Sequence, residues 1–150
     1  MRLRGVRRLR MAEGSALVEF SLIAFMFIIV LLGVVEMGRM LLVYTTMANA
    51  ARAGARYAIV HGGERTGTGV NGPSGPGNTA QVQTVVQNFA SAGLLNTSNL
   101  TINVTYPNGL NTAGSAVSVT VTYPYDPLVI FFNSMLSTTM GSTSEGVITF

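Results

Sequence analysis

From Phe20 to Val35 the chain reads FSLIAFMFIIVLLGVV, sixteen residues without a charge. Counted from Ser15, the apolar span is twenty-one residues. As a helix it is about 31 Å long, close to the hydrocarbon thickness of a bilayer. Two other readings of such a run are the buried core helix of a soluble protein and the core of a cleaved signal peptide. Its length and scarcity of polar positions weigh against the first. The second needs a small-x-small cleavage site just after the run, and Glu36-Met37-Gly38-Arg39 supplies none.

Beyond Glu36 the pattern changes from all-round apolar to striped. Met40, Tyr44, Met47, Ala51, Gly54 and Ala58 recur at steps of four and three, while Thr45, Thr46, Asn49, Arg52 and Arg56 lie off that stripe. No proline occurs from Ser15 to Val60, so one helix is predicted, with Gly33, Gly38 and Gly54 as weak points. The segment from Gly62 to Asn78 holds seven glycines and two prolines in seventeen residues and reads as a loop. A second helix follows, with Val82, Val85, Val86, Phe89 and Ala90 on its apolar face. Asn78 or Thr79 is placed to cap its start and Gly93 to end it.

Period-two alternation then takes over. Ile102, Val104 and Tyr106 alternate with Thr101, Asn103 and Thr105; Val117, Val119, Val121 and Tyr123 alternate with Ser118, Thr120 and Thr122. Asn108-Gly109 between them is a turn signal, which makes the pair antiparallel. Glu145 to Phe150 is predicted as a third strand, and the apolar stretch from Leu128 to Leu136 has no assigned place. The fold class is therefore α+β: a long N-terminal transmembrane and amphipathic helix, a short second helix and a small antiparallel sheet. The organisation is a basic segment at 1–14, a membrane helix at 15–36, its amphipathic extension at 37–60, a Gly/Pro-rich loop at 61–78 and a small α+β domain at 79–150.

Charge sharpens this division. The net charge of +3 comes from Arg2, Arg4, Arg7, Arg8 and Arg10; from Ser15 onward four arginines face five carboxylates. A nucleic-acid binder would spread its basic residues over a folded face, so that class is disfavoured. The chain has no cysteine, which removes disulfides, thiolate metal sites and cysteine nucleophiles. All nine of its basic residues are arginines, which removes Schiff-base chemistry and the P-loop lysine.

Three patterns imitate chemistry. Gly67-Thr68-Gly69-Val70-Asn71-Gly72 matches G-x-G-x-x-G, but it follows a helix, and no acid lies between Glu64 and Asp126. His61 is the one histidine. With no second imidazole or thiol it makes a poor metal ligand, and with no G-x-S-x-G elbow it makes a poor triad member, so it reads as a loop histidine. Asn96, Asn99 and Asn103 begin N-x-S/T sequons that matter only in a glycosylating host. No catalytic residues converge, no cofactor is called for, and the chain is not expected to be an enzyme.

Glu19 and Glu36 bracket the apolar run. They lie about 25 Å apart along a helix, too far for a glycosidase pair. Glu36 reads as a solvated carboxylate at the outer boundary. Glu19 falls inside the apolar span, where a charge is expensive. It is either an interfacial carboxylate in reach of water or a group awaiting a partner.

Gly14-Ser15-Ala16-Leu17-Val18-Glu19-Phe20, behind a basic leader and ahead of an apolar helix, resembles a prepilin peptidase site. That resemblance implies cleavage between Gly14 and Ser15, with Glu19 as the fifth mature residue. Glu19-Phe20, Glu36-Met37-Gly38-Arg39, Tyr44, and the run from Asn49 through Ala51, Arg52, Gly54 and Arg56 to Ala58 resemble the TadE-like proteins. These are pilin-like components of the tight-adherence (Tad or Flp) type IV pilus machinery in bacteria. No Arg or Lys follows Arg65, unlike in many such proteins. The resemblance implies a single-pass protein of the bacterial inner membrane, with the N-terminus cytoplasmic and the C-terminal domain outside. Its implied partners are prepilin peptidase, other pilin-like subunits and the inner-membrane pilus assembly machinery. The alternative is an unprocessed, membrane-anchored adaptor whose outer domain binds an envelope partner.

Overall fold

The computed structural model describes the backbone at residues 3–93 and 95–149, and side chains from Gly14 onward. Met1, Arg2 and the side chains of the other leader arginines lie outside the described residues. So does Phe150, the expected end of the third strand.

The chain divides after Gly38 into two compact units. Residues of the first helix, α1 (Leu3–Val60), belong to both. In the first unit α1 is already helical at Leu3, where the sequence pattern predicts only a polar leader. Arg, Leu, Met and Ala are good helix formers, and nothing between Leu3 and Gly14 breaks the turn. From Leu17 to Val35 the large apolar side chains stand open, Phe20 at 71% exposure. One residue departs from its expected role. Glu36 is buried, at 2% exposure, rather than solvated. A buried carboxylate needs hydrogen-bond partners, and no buried side-chain oxygen or nitrogen among the described residues lacks one.

The second unit, Arg39 to the C-terminus, packs the later part of α1 and helix α2 (Ala80–Ala92) with a three-stranded sheet. The sheet runs in the order β1 (Thr101–Thr105), β2 (Ala116–Tyr125), β3 (Thr138–Val147), antiparallel throughout. The later part of α1 thus contributes to the core of the second unit. Val43, Met47, Ala50, Ala51, Ala55 and Ala58 of α1 join Val82, Val86 and Ala90 of α2 and Val117, Val119 and Val121 of β2. Met47, Ala51, Gly54 and Ala58 of the expected stripe are buried, and the departure is at its start. Val43 takes the inward place expected of Tyr44, which is exposed.

Two glycines explain how closely these layers meet. A Cβ at Gly54 would collide with Val86 Cγ2, so Gly54 is a packing contact rather than a weak point. Gly93 ends α2 as expected, yet with an ordinary negative φ of −84°. Its reason is also space, because a Cβ there would collide with Thr46 Cγ2. Thr79 precedes α2 but makes no side-chain cap.

The β1–β2 pairing follows the alternation, with Ile102 opposite Val121 and Val104 opposite Val119. β3 does not follow the prediction: it begins at Thr138 and pairs along all of β2. Its inward register holds Ser142, Ser144 and Gly146 opposite Val121, Val119 and Val117. Small residues are needed there, since a Cβ at Gly146 would collide with Ile59. Alternation of small with polar residues is invisible to a hydrophobic pattern.

Candidate functional site

Two places carry the residues singled out by the sequence. The first is the start of the apolar helix. Gly14, Ser15, Glu19 and Phe20 are all exposed. Gly14, Ser15, Val18, Glu19, Leu22 and Ile23 border one shallow concavity on the helix. The residues are one and two turns apart, and the missing side chain of Gly14 opens the notch. A Cβ at Gly14 would meet nothing within 4 Å. Gly14 is helical, not extended, so a protease acting there must first unwind about a turn.

The second place lies within the second unit, near its first residue Arg39. The Arg39 guanidinium stands 4.6 Å from the centre of the Tyr125 ring and donates to the Asp126 carbonyl. Tyr125 is almost wholly buried. A cation over an aromatic face is held by about 0.5–1 kcal/mol where exposed and by about 2 kcal/mol or more where desolvated. Arg39, Leu42, Val43, Tyr123, Tyr125 and Asp126 are among the residues lining a cleft of about 310 Å³. The Ser137 hydroxyl donates to Asp126 Oδ1 at 3.2 Å, and Tyr125 pairs with Thr138. Those two contacts close the neck of the loop 126–137. The loop holds a turn at Ile130–Phe132 and the four-residue helix α3 (Asn133–Leu136).

The remaining motif residues divide by their surroundings. Ala51 and Gly54 are buried against α2 and the sheet, whereas Tyr44, Asn49, Arg52 and Arg56 are exposed. Arg52 donates to Asn49 Oδ1 at 3.3 Å, one turn back. Gly38 is exposed with open space around its Cα.

The imitations of chemistry also find places. His61 is buried, stacked 3.8 Å from the Tyr57 ring, with Nδ1 on the Tyr57 carbonyl at 2.8 Å. It caps the end of α1 and stands with Ser74, whose hydroxyl donates to the His61 carbonyl. Tyr106 donates to the Ser74 hydroxyl, and Asn111 to the Ser74 carbonyl at 3.0 Å. Asp126 belongs to the opposite end of β2, so no triad forms. The G-x-G-x-x-G stretch is held as a structural loop: Tyr57 donates to Val70 O at 2.7 Å and Arg65 to Asn71 O at 3.3 Å.

Sequence reasoning missed Tyr125, Asp126 and the loop 126–137. The available signal was a run without alternation between two Thr-rich strands, free of charge from Pro127 to Ser144.

Residues 14–56 match the family model described as TadE-like protein, less than a third of the chain. No curated protein and no solved structure matches the chain.

Proposed function

We propose that this chain, TadE-like over residues 14–56, is a minor pilin or pilus-assembly subunit of a tight-adherence type IV pilus. In this reading prepilin peptidase cuts between Gly14 and Ser15. The outer domain lies outside the inner membrane, and the apolar helix joins those of other pilin-like subunits. The observation that carries it is the bare helix from Leu17 to Val35, whose large side chains are exposed within the chain at every position but Ile29, which is half-buried. Water is not a tolerable partner for such a surface. Lipid covers it in the membrane and like helices cover it in an assembly, so one segment serves storage and packing.

A second reading, an unprocessed anchored adaptor, draws on one observation: α1 passes through Gly14 as helix. Intact mass of protein extracted from membranes of a peptidase-competent host separates the two. The pilin reading expects loss of residues 1–14 and accumulation of full-length precursor for Gly14→Val. A wild-type chain that still begins at Met1 overturns it in favour of the adaptor.

A further inference from the structure

We propose that the loop 126–137 is a second membrane contact, an apolar tip that enters the lipid interface beside the point where α1 leaves the bilayer. The proposal rests on the membrane-anchor reading of the apolar helix and adds a contact that reading does not require.

The outer domain has two poles along α1. At one, the end of α1 meets the β1–β2 connection: Gly63 donates to the Asn111 carbonyl at 2.7 Å and Thr149 to Ile59 O at 3.0 Å. At the other, Arg39 is bound to Tyr125 and the Asp126 carbonyl. β2 runs from the first pole to the second, and the loop 126–137 continues past its end. Arg39 is four residues after Val35, the last residue of the apolar run. That is about 6 Å of helix rise. The loop is therefore tied to the pole from which the chain passes into the membrane span.

Its chemistry suits lipid. Ile130, Phe131 and Met135 are 86%, 66% and 76% exposed. They protrude from a turn and a short helix, as an interfacial anchor does. Around them stand Asn133, Ser134 and Ser137, which hydrogen-bond at headgroup depth. No charge occurs from Pro127 to Ser144, so nothing on the tip resists entry into the interface. Asp126 and Arg39, at the neck, mark the polar side of that boundary.

The chain has no cysteine, so single-cysteine variants need no background removal. Full-length protein is reconstituted in phosphatidylethanolamine–phosphatidylglycerol vesicles. Nitroxide is placed at Ile130→Cys, at Ala113→Cys on the opposite pole, and at Phe27→Cys in the apolar run. Collision with lipid-soluble oxygen and with a water-soluble nickel chelate is then measured. The expected result is an oxygen-to-nickel ratio several-fold higher at 130 than at 113, and highest at 27. A lipid-like ratio at 27 with a water-like ratio at 130 overturns the loop contact and leaves the anchor reading intact. A water-like ratio at 27 overturns the anchor reading and this proposal with it. Protection from both reagents at 130, with an immobilised spectrum, overturns it in favour of a protein partner.

Discussion

The part of α1 up to Gly38 and the part from Arg39 onward use hydrophobic residues in opposite ways. The first is built of Phe, Ile, Leu, Met and Val, and buries almost none of them within the chain. The second has far less apolar bulk, yet Met47, Ala50, Ala51 and Ala58 are fully buried. The difference follows from what lies against each surface. Within the outer domain, α2 and the sheet come close enough that only Ala and Gly fit at several positions. In the apolar run the side chains are mostly large, and nearly all of them from Leu17 to Val35 are exposed. A helix made to meet lipid or other helices needs bulk, and a helix already docked at short range needs its absence.

The largest expected effect tests whether the first part is built for a partner at all. Cleavage would create a positive α-amino group at Ser15, about 6 Å along the axis from Glu19. In a staggered bundle a neighbour's amine can approach Glu19 and form a pair that neither charge replaces alone. Glu19→Ala should insert normally, since it makes the span more apolar, and lose co-assembly with pilin-like partners. Site-specific crosslinking from the helix, with processing checked in parallel, reads the outcome. Full association by the processed variant would leave Glu19 an interfacial carboxylate.

A glycine in each part sharpens the contrast. Gly54→Val forces a side chain into Val86 and should destabilise the outer domain by about 1–3 kcal/mol. Gly38→Ala meets open space and should cost nothing, with up to about 1 kcal/mol gained in helix propensity. Denaturant unfolding of the full chain in detergent, followed by the tyrosines of the outer domain, compares them. Equal effects would mean that the two parts are packed alike.

Arg39 stands where the contrast begins. Replacing it by Met removes the cation above Tyr125 and the donor to Asp126 O, a loss of about 1–2 kcal/mol. Hydrogen exchange should show the neck of the loop 126–137 opening while the β1–β2 ladder stays protected. Uniform loss of protection would refute a local role.

The smallest effect is at alkaline pH. Burial pushes the Tyr106 hydroxyl above its ordinary 10.0, against the Ser74 hydrogen bond, which lowers it. The folded value is higher than the unfolded one. The contribution is therefore fully present below the ordinary 10.0 and lost as pH rises through the folded value. Tyr106→Phe should make outer-domain stability fall less steeply in that range. An unchanged slope would mean that the hydroxyl ionises as freely folded as unfolded.

The apolar run, the striped continuation, the second helix and the β1–β2 pair are all legible in the amino-acid sequence. Each repeats one periodicity over enough residues for burial to dictate it. The likeness to TadE-like proteins lies in local order along one helix, and residues 14–56 carry it. Tertiary structure alone decides the rest. β3 escapes the pattern because its inward residues after Met140 are small: Ser142, Ser144 and Gly146 lie opposite the valines of β2, with Gly146 under Ile59. Glu36 looks solvated in the sequence because burial of a carboxylate depends on groups that no local pattern names. Arg39 is far from Tyr125 and Asp126 in the chain and meets them only when β2 ends beside the start of the docked part of α1. Periodicity reports which face of an element is buried. Which distant residues that face meets is settled by packing, where the space left by Gly54, Gly93 and Gly146 counts as much as any side chain.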